Sequence, residues 1–415
     1  MNQFKKILIL CPFDDIYPPV VGGSQRYFHV IHQLSRFFKV SLIAFQVKDT
    51  FCESATEYPS IGSINYFSTR DYQKPADVLS ILPGKLEKAL RYRWIKRNPF
   101  ATADGNFLHY YFLLEKVLQE NAFDVVILEN LSSLNAIPII RKFNPLAKII
   151  YNAHNVDTHL ASVGVKAWGT KSEYLSQIEK TERNFAKILD AVITCSKEDR
   201  QALMDMSDGK LLAGVVPNGV VIPEKLFNEG VQKETHHYIL FCGALWTEPN
   251  SEGLNWFVER IWPMVQQAFP ELKLLVVGSG ELSSRFQHLK TNESLIFTGK
   301  VADVKPWYNK SALAIVPLLN GSGTRLKVLE AMGLGVPMVS TSKGAEGILY
   351  SSSKEIMIAD DPTTFAGAVI NLLNNKSQRM EMALEARQLA KDVYDWDIIG
   401  TEAATFIHNV VLKND

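Results

Sequence analysis

Short apolar segments recur along the chain and alternate with longer segments whose apolar positions follow the period of an α-helix. Parallel strands that are buried on both faces have continuous apolar sequences, so this alternation predicts parallel strands joined by crossover helices. The pattern occurs twice and restarts after residue 236. The predicted strands are residues 7–11, 40–45, 125–128, 149–151 and 191–194 in the first series, and 238–242, 272–277, 295–297, 312–316 and 337–340 in the second.

Two such series predict an α/β protein with two Rossmann-like, doubly wound domains in sequence. The turn-forming segment 217–219 and the polar stretch after it show little apolar periodicity, which is typical of a linker. A last helical segment is interrupted near Tyr394, and we expect its final part, about 395–415, to pack back on the first domain. The expected divisions are an N-terminal domain over 1–218, a linker over 219–236 and a C-terminal domain over 237–394.

Composition supports this organisation and narrows the set of partners. A chain of 415 residues is longer than one hydrophobic core usually organises. Lys plus Arg and Asp plus Glu number 44 each, so no overall basic field exists to bind nucleic acid. The cysteines show neither metal-ligand spacing nor the density of a disulfide scaffold, and we expect reduced thiols at Cys11, Cys52, Cys195 and Cys242.

The chain offers no predicted membrane span, because no apolar stretch approaches the roughly 20 residues that a bilayer requires. The run at 7–11 is too short for the core of a signal peptide, so we expect a cytoplasmic protein. A local basic and aromatic segment at 85–97 contains Lys85, Lys88, Arg91, Arg93, Lys96 and Arg97. A solvated surface is one interpretation, and peripheral contact with anionic lipid at the inner face of a membrane, or with a phosphorylated acceptor, is the other.

The most informative segment for chemistry is the Gly-rich stretch at 320–332, between an apolar strand and a helix-forming run. Backbone N–H groups at glycines and at a helix start suit phosphate oxygens. Arg325 and Lys327 add full positive charges that suit a diphosphate leaving group as its charge develops. The loop residues expected at this donor site are Gly321, Ser322, Gly323 and Thr324. A Gly-rich turn with solvated basic residues is the alternative.

Glu330 follows in the same predicted helix, near its first turn. At that position a carboxylate is placed to accept hydrogen bonds from the two hydroxyls of a ribose. An acidic residue near a helix start also complements the helix dipole without any ligand, so both interpretations stay open.

Further candidates follow the carboxyl ends of predicted strands, where open α/β sheets bind ligands. They are Gly22 and Gly23, His154, Gly243, and the pair Gly299 and Val301. His154 is placed to hydrogen-bond a substrate, although a lone histidine is more often a packed or capping residue. Gly299 and Val301 are placed to offer backbone groups to a nucleobase. Neither the pair Gly22 and Gly23 nor the pair Gly299 and Val301 is by itself a specific signal of a ligand site.

Taken together, these motifs resemble those of the retaining glycosyltransferases of the GT-B fold, group 1 (family 4), over nearly the whole chain. The similarity is strongest at 321–347, where Glu330 is followed by Gly-Val-Pro-Met-Val-Ser at 335–340 and Gly-Ala-Glu-Gly at 344–347. The sequence Pro-Asn-Gly-Val at 217–220 is similar to the interdomain segment of that family. The resemblance implies two Rossmann-like domains that face each other across a cleft.

The resemblance also implies roles for individual residues. Glu330 takes the place of a glutamate that holds the donor ribose, Gly22 and Gly23 match a loop against the diphosphate, and His154 matches a histidine near the donor sugar. It implies transfer with retention and without a metal or other cofactor, because side chains and backbone neutralise the leaving group. We therefore expect His154, Arg325 and Lys327 to be catalytic and Gly243 to join the donor-binding residues.

Two departures from the family pattern change the expected site. A first signature glutamate of the family is replaced by Ser322, so sugar recognition is expected to differ. The Arg and Lys usually found after the first strand of the second domain are absent from 243–248. Arg325 and Lys327 are therefore expected to take over the diphosphate role.

The function that follows is transfer of a sugar from a nucleoside-diphosphate sugar to an acceptor, expected to be a cell-envelope polysaccharide or a lipid-linked intermediate. No carboxylate of the first domain is recognised as a nucleophile, so front-face attack is expected. A nucleotide-sugar epimerase or a phosphorylase of the same fold is the alternative among enzymes, but the sequence shows neither acid and base carboxylates nor a cofactor lysine signature. A catalytically degenerate nucleotide-sugar-binding partner is the alternative outside enzymes, given Ser322.

Overall fold

The computed structural model describes residues 4–13, 16–19, 22–46, 48–69, 106–159, 161, 172–224, 229–232, 237–282, 284–321 and 325–412. The basic segment 85–97 and the loop residues Ser322, Gly323 and Thr324 lie outside these residues. The chain divides into two compact units. One is Met1–Val216 together with Gly400–Asp415, and the other is Pro217–Ile399.

The first unit is built on a parallel sheet. Within the described residues its strands are β1 (Lys6–Cys11), β2 (Lys39–Ala44), β3 (Asn65–Ser68), β4 (Val125–Leu128), β5 (Lys148–Asn152), β6 (Ala191–Thr194) and β7 (Ala213–Val215). They lie in the order β3-β2-β1-β4-β5-β6-β7. Ile7 of β1 pairs in register with Val40 on one side and Val125 on the other, so the strand order reverses between β1 and β4.

Helices connect these strands and bury apolar faces against the sheet. They are α1 (Gly22–Ser35), α2 (Lys48–Cys52), α3 (Asn106–Glu120), α4 (Ile137–Phe143), α5 (Ser172–Arg183), α6 (Phe185–Ile188) and α7 (Lys197–Met206), with 3₁₀ turns at Glu53–Thr56, Pro59–Ser63 and Leu131–Ala136. Tyr110, Leu114 and Leu118 recur at helical spacing on α3 and share one core with Leu10 and Val126 of the strands. Burial of this periodic face stabilises the helix on the sheet.

The second unit contains another parallel sheet. In the part of the chain that the structure describes, its strands are β8 (Tyr238–Cys242), β9 (Lys273–Val277), β10 (Leu295–Gly299), β11 (Ala314–Val316), β12 (Met338–Ser340) and β13 (Met357–Ile358). Their order is β10-β9-β8-β11-β12-β13. The helices are α8 (Glu229–Gln232), α9 (Glu248–Arg260), α10 (Trp262–Ala268), α11 (Lys305–Lys310), α12 (Leu326–Leu334), α13 (Pro362–Asn374) and α14 (Lys376–Leu389), with a 3₁₀ stretch at Ser284–Thr291.

Two cores hold the second sheet between helices. Phe257, Trp262 and Phe365 lie in one of them, and Val328 and Met332 of α12 lie in the other. Local sequence sets where these helices begin. For example, the Asp361 side chain accepts hydrogen bonds from the first N–H groups of α13, whose first residue is a proline.

The chain ends in a helix that is interrupted as the sequence predicts. A π-helical turn at Ala390–Tyr394 ends at Asp395, which is extended, and α15 (Trp396–Leu412) follows. Residues from Gly400 onward belong to the first unit. Phe406 packs so closely on Gly214 that a Cβ atom there would lie 2.6 Å from its ring. Small residues at such contacts let a helix approach the backbone closely.

The predicted α/β class with two Rossmann-like domains is confirmed. All ten predicted strands are present, with boundaries within two residues of the predicted ones. The predicted set omits β3, β7 and β13, which are short edge strands. An edge strand pairs on one side only and is less enclosed, so it lacks the continuous apolar run that marks a central strand. Among the described residues, no helix combines the length and the apolar character needed to cross a bilayer.

Candidate functional site

The donor-side candidates of the second unit lie where the strand order of its sheet reverses. β8 and β11 are neighbours there although they are not consecutive in the chain. Open α/β sheets bind ligands beyond the carboxyl ends of their strands at such a point. Residues 243–247 follow β8 and residues 317–321 follow β11, so Gly243 and Gly321 both belong to this switch point.

Lys327 reaches across this switch point. Helix α12 begins directly after its N-cap, Arg325, so Lys327 is the second helical residue. Its Nζ donates a hydrogen bond of 2.7 Å to Asn250 Oδ1 and lies 5.0 Å from the centre of the Phe241 ring. Asn250 Nδ2 donates to the carbonyl oxygen of Ala244 at 2.9 Å, which fixes the orientation of the amide. A partly buried cation is thereby held beside the end of β8.

Gly243 leaves the room that this ammonium group occupies. A Cβ atom at Gly243 would lie 2.6 Å from Lys327 Nζ and 2.9 Å from Asn250 Nδ2. Both distances are shorter than a van der Waals contact, so a larger residue would displace the cation or the amide. Gly243, predicted to bind the donor, therefore adjoins Lys327, predicted to neutralise the diphosphate of the donor.

The surroundings of Lys327 favour binding of an anion. Burial lowers the pKa of Lys327 from 10.5 to about 8, because the charged ammonium loses hydration. The nearby Cys242 and Glu330 raise this pKa, and the Arg325 charge lowers it. A negative ligand beside Nζ stabilises the protonated form, so its binding is coupled to proton uptake near pH 8.

Arg325 and Gly321 lie side by side in the loop before α12. A Cβ atom at Gly321 would lie 3.0 Å from Arg325 Nη2, and the φ of +109° is one that L side chains rarely adopt. The Arg325 side chain is 11% exposed, and its Nη2 lies 3.9 Å from Glu346 Oε2. Burial lowers the pKa of Arg325, whereas Glu346 raises it. Glu346 belongs to the Gly-Ala-Glu-Gly sequence, so two parts of the predicted donor signature meet here.

Glu330 lies just beyond the first turn of α12. The helix begins at Leu326, so Glu330 is its fifth residue and belongs to the second turn. The helix dipole acts mainly within the first turn, which weakens dipole complementarity as the reason for an acid here. Lys327 and Glu330 are three residues apart and therefore share a face of the helix. Burial, together with the nearby Cys242 and Glu330, raises the pKa of Tyr308 well above its ordinary value.

Gly299 is the last residue of β10 and Val301 follows the strand, two strands away from β8 in the sheet. Gly299 has a φ of +68°, and a Cβ atom there would meet no other heavy atom within 4 Å. Its carbonyl oxygen accepts a hydrogen bond of 3.3 Å from the N–H of Gly278, which follows β9. The open space at Gly299 is consistent with the predicted contact to a planar base, which stays a prediction.

Buried polar side chains meet at the corresponding edge of the first sheet. Glu129 directly follows β4, and its side chain is fully buried. Its Oε2 accepts a hydrogen bond of 2.9 Å from Asn152 Nδ2 and lies 3.1 Å from His154 Nε2. Arg26 of α1 donates from Nη2 to Asn152 Oδ1 at 2.8 Å and from Nη1 to the carbonyl oxygen of Val216 at 2.9 Å. A continuous hydrogen-bonded network therefore joins α1 to the ends of β4 and β5.

His154 borders a cavity of about 320 Å³ in the first unit. Its side chain is 18% exposed, and its ring centre lies 4.6 Å from that of Tyr27. Burial lowers the pKa of His154, which the neighbouring Glu129 partly offsets, so the neutral imidazole is favoured at neutral pH. The other residues that line the cavity are Tyr27, Glu129, Asn130, Leu131, Ser132, Tyr151, Asn155 and Asp157.

Gly22 and Gly23 are the first two residues of α1, which follows β1. A Cβ atom at Gly23 would lie 3.6 Å from the Tyr27 ring, the same ring that packs on His154. The glycines are therefore one helical turn from the aromatic side chain that covers the histidine. Their predicted contact with a diphosphate stays a prediction.

Several residues that make these sites were not predicted from the sequence. The sequence points to no carboxylate of the first unit as a nucleophile, yet Glu129 and Asp157 both border the His154 cavity. Asn250, which binds Lys327, was not recognised either. Their position in the sequence is the feature that could have identified Glu129 and Asn152. Both lie at the carboxyl ends of buried apolar runs, where a polar side chain is unusual.

Asp157 is about half protonated at neutral pH. Burial and the neighbouring Glu182 carboxylate together raise its pKa to about 7, against a hydrogen bond from Tyr151. Tyr151 Oη donates to Asp157 Oδ2 at 3.0 Å. Glu182 Oε1 in turn accepts from the Asp157 N–H at 2.7 Å, so the two acids share one buried site.

We expect Asp157→Asn to increase stability at pH 8. The folded pKa of this acid lies above its unfolded value of 3.8, so its stabilising contribution is complete below about pH 4 and is lost as pH rises to about 7. Asparagine keeps an uncharged acceptor for Tyr151, so the free energy of unfolding should rise by about 1–2 kcal/mol at pH 8 and change little at pH 4. Urea denaturation at several pH values measures this difference. Asp205→Asn, which changes an exposed acid of the same unit, is the control and should keep the wild-type dependence of the free energy of unfolding on pH. If Asp157→Asn also keeps the wild-type dependence, Asp157 is not the group whose titration lowers stability between pH 4 and pH 7.

In the described ranges, no group of three or more His, Cys, Asp and Glu side chains is arranged to hold a metal ion. Arg325 and Lys327 bring two cationic side chains to the switch point of the second sheet. The prediction of a metal-independent reaction stays a prediction.

Residues 236–375 match the model of the group 1 glycosyl transferases. Most of the second unit is therefore similar to the group 1 glycosyltransferases. The matched range contains Gly243, Asn250, Lys327 and Glu330, so the second-unit geometry described above lies inside it. The family resemblance predicted from the motifs is confirmed.

Two curated proteins are similar to part of the chain. An uncharacterized 44.6 kDa protein in the cps region, from Klebsiella pneumoniae, is 33% identical over 164 residues, which are 38% of this chain and 42% of that protein. A GDP-mannose-dependent monoacylated alpha-(1-6)-phosphatidylinositol monomannoside mannosyltransferase from Corynebacterium glutamicum is 26% identical over 162 residues, 36% of this chain and 42% of that enzyme. The chain thus spans less than half the length of either relative.

The fold is similar over its whole length to a solved structure. The crystal structure of Anabaena Alr3699/HepE in complex with UDP and glucose has a TM-score of 0.64 at 13% identity and covers 98% of this chain and 100% of that one. At this identity the likeness shows the fold alone. The GT-B class predicted for the chain, with two Rossmann-like parallel sheets, is confirmed by it.

Proposed function

We propose that this chain is a glycosyltransferase that moves a sugar from a nucleoside-diphosphate sugar to a hydroxyl acceptor. The observation that carries the proposal is the ammonium group of Lys327, held by Asn250 at the strand switch point of a group 1 glycosyltransferase domain. A partly buried cation at the carboxyl edge of such a sheet suits the diphosphate of a sugar nucleotide.

In the proposed reaction, the bond between C1 of the sugar and the β-phosphate oxygen breaks, and its electron pair stays on the phosphate. The acceptor oxygen forms the new bond to C1 on the same face, and its proton passes to the departing phosphate oxygen. Lys327 and Arg325 stabilise the negative charge that develops on the diphosphate. No metal ion is assigned to this step.

Retention through front-face attack is part of the proposal. The two carboxyl groups that border the His154 cavity are poorly suited to act as nucleophiles. Glu129 Oε2 is engaged by Asn152 and His154, and burial raises the pKa of Asp157 to about 7, so much of it is protonated. The departing phosphate is therefore the base that we assign.

The remaining predicted residues complete the donor site in this proposal. Glu330 binds the ribose hydroxyls, Gly243 and the loop 321–324 lie against the diphosphate, and Gly299 and Val301 contact the base. In the first unit, Gly22 and Gly23 are assigned to the diphosphate and His154 to the sugar. These assignments extend the family resemblance to the positions that match its motifs.

We propose an acceptor from the cell envelope, either a polysaccharide or a lipid-linked intermediate. The Corynebacterium relative is named as acting on a phosphatidylinositol mannoside, and the Klebsiella relative is named from a cps region. The basic segment 85–97 is the proposed contact with anionic lipid at the cytoplasmic face of the membrane.

The test is a comparison of binding and turnover with two donors, UDP-glucose and GDP-mannose. Thermal melting with each donor, UDP and GDP reports binding, because a ligand of the folded state raises the midpoint. Release of the nucleoside diphosphate with short alkyl glycosides as acceptors reports turnover, and the anomeric configuration of the product reports retention. Binding without release would favour the degenerate binder, and neither binding nor release at millimolar donor would contradict the proposal. Glu330→Ala should weaken binding of the intact nucleotide.

We expect binding of UDP or GDP to weaken about tenfold between pH 7 and pH 9. The diphosphate prefers the protonated Lys327, whose pKa in the free protein is about 8, so the binding form is depleted as pH rises. Titration calorimetry at both pH values measures the change. Lys327→Arg provides the matched control, because its guanidinium stays charged at pH 9 and should remove most of the dependence. An undiminished dependence in that variant would assign the titration to another group.

A further inference from the structure

The buried network at the edge of the first sheet fixes more than the position of His154. Among the described residues, the one carboxylate within hydrogen-bonding distance of the imidazole is Glu129, whose Oε2 lies 3.1 Å from Nε2. In the part of the chain that the structure describes, the second carboxylate oxygen, Oε1, is buried without a hydrogen-bond partner. The hydrogen bonds of this carboxylate to described residues are therefore those with Asn152 and His154.

The direction of each hydrogen bond in the network follows from Arg26. A guanidinium only donates, so Asn152 Oδ1 is the amide atom that faces Arg26 Nη2 at 2.8 Å. Asn152 Nδ2 must then point to Glu129, where it donates at 2.9 Å. The amide orientation is thus set from one end of the network, and Glu129 Oε2 acts as an acceptor.

The same oxygen faces the histidine. A carboxylate accepts and does not donate, so the proton between Glu129 and His154 lies on Nε2. In a neutral imidazole the other nitrogen, Nδ1, then carries a lone pair. Ring contacts restrict the remaining freedom of the imidazole, since Tyr27 lies 4.6 Å from His154 and is itself stacked on Phe13 at 4.3 Å.

We propose that Glu129 is a positioning residue that holds His154 as the Nε2–H tautomer, so that Nδ1 accepts a hydrogen bond from a sugar hydroxyl. This inference rests on the proposed function for the identity of the ligand, but the tautomer itself does not. Glu129 acts through His154 and makes no contact with the sugar in this assignment. Arg26 and Asn152 extend the same role, because they orient the atoms that meet Glu129.

The decisive measurement is the tautomer of His154 in the full chain. Nitrogen-15 labelling of histidine separates a protonated ring nitrogen from a bare one by chemical shift, and His154→Gln identifies the signals of this residue. We expect a protonated Nε2 and a bare Nδ1 in the wild type near neutral pH. A wild-type spectrum with the proton on Nδ1 overturns the proposal, whether or not any variant folds.

Two substitutions at Glu129 separate positioning from packing. Glu129→Gln keeps an acceptor, and Asn152 selects its carbonyl oxygen for the Oε2 position, so the Nε2–H tautomer should persist. Glu129→Leu keeps most of the volume but removes the acceptor, so a mixture of tautomers should appear. If Glu129→Leu keeps the pure Nε2–H tautomer, the assignment of Glu129 is wrong.

Turnover provides the second measurement, with whichever of UDP-glucose and GDP-mannose the wild type uses. Glu129→Leu should lower kcat about 10- to 100-fold, as expected for a misoriented contact, and Glu129→Gln should recover most of it. Affinity for UDP or GDP should change less than twofold in both variants, because neither Glu129 nor His154 contacts the diphosphate in this assignment. Equal kcat in wild type and Glu129→Leu would overturn the positioning role. If the wild type has the expected tautomer but no turnover, the proposed function fails and the assignment of Glu129 stands.

Discussion

Replacing Lys327 with methionine should lower the affinity for UDP or GDP by about 10- to 100-fold, the loss of a charge-assisted contact to a phosphate. Nζ uses one donor on Asn250 and has two further N–H groups for an anion. Salt screens partly buried charges only weakly, so this loss of affinity should persist at physiological salt concentration. Titration calorimetry with UDP and GDP measures it.

The same substitution should not weaken the fold. The folded pKa of Lys327, about 8, lies below 10.5, so the folded protein binds this proton less tightly than the unfolded chain does. At pH 7 the charge therefore costs stability, and Lys327→Met should melt at the same temperature as the wild type or above it. Loss of binding together with unchanged or higher stability distinguishes a functional cation from a structural one.

Lys391→Met is the matched control, since it removes one positive charge at an exposed position of the same unit. It should leave the affinity for UDP and GDP unchanged. If Lys327→Met binds as tightly as Lys391→Met, the diphosphate does not lie at Lys327, and the proposed donor site has to be placed elsewhere.

Replacing Gly278 with alanine should destabilise the second unit by about 1–3 kcal/mol, the typical cost of overpacking. Gly278 follows β9, and a Cβ atom there would overlap the carbonyl group of Gly243. Three backbone hydrogen bonds limit the movement of the two loops: Gly243 N–H to Val277 O at 2.9 Å, Leu245 N–H to Ser279 O at 2.8 Å and Gly278 N–H to Gly299 O at 3.3 Å.

The substitution should also weaken binding of the nucleotide in the molecules that remain folded. A shift of Gly243 moves the backbone that adjoins Lys327 Nζ and Asn250. Urea denaturation and titration with UDP or GDP measure the two effects separately. A stable Gly278→Ala protein with wild-type affinity would mean that the loops at the ends of β8 and β9 move apart freely.

Gly367→Ala is the control for the change in backbone entropy. Gly367 is exposed on α13, and a Cβ atom there would meet no other heavy atom within 4 Å. Alanine is the better helix former, so this variant should be more stable by about 0.5–1 kcal/mol. Opposite signs for the two Gly→Ala changes would show that close approach of backbones, and not glycine content, limits position 278.

The position of Lys327 bears on a departure that the sequence makes from its family. The loop after β8 lacks the Arg and Lys expected there, yet the Lys327 ammonium lies beside Gly243, the first residue of that loop. A positive charge therefore reaches the end of β8 from α12. Asn250, in the first turn of α9, holds the cation there.

Local patterns of apolar and polar residues determine much of the fold. Central strands such as β1, β4 and β8 are buried on both faces, and continuous apolar sequence is the physical requirement for that burial. The Gly-rich loop before α12 is equally predictable, because its glycines and basic residues are close in sequence. Edge strands such as β3 and β13 are not, since a short strand paired on one side needs no such run.

The contacts that make the sites depend on residues that are distant along the chain. Asn250 and Lys327 are 77 residues apart, and Arg26 and Asn152 are 126 apart, so only packing of the sheets brings each pair together. The pKa values of Lys327 and Asp157 depend on burial and on neighbours from distant segments. No local pattern encodes those neighbours.

The sequence by itself thus determined the α/β class, the two Rossmann-like units and the strand ends at which ligands bind. It did so because burial of strands and helices imposes periodicities that are local in the chain. The tertiary structure decided which polar groups meet at those ends: Asn250 with Lys327, and Glu129 with His154. Their meeting depends on strand order and on crossover connections, and a parallel sheet joins residues that are far apart in sequence.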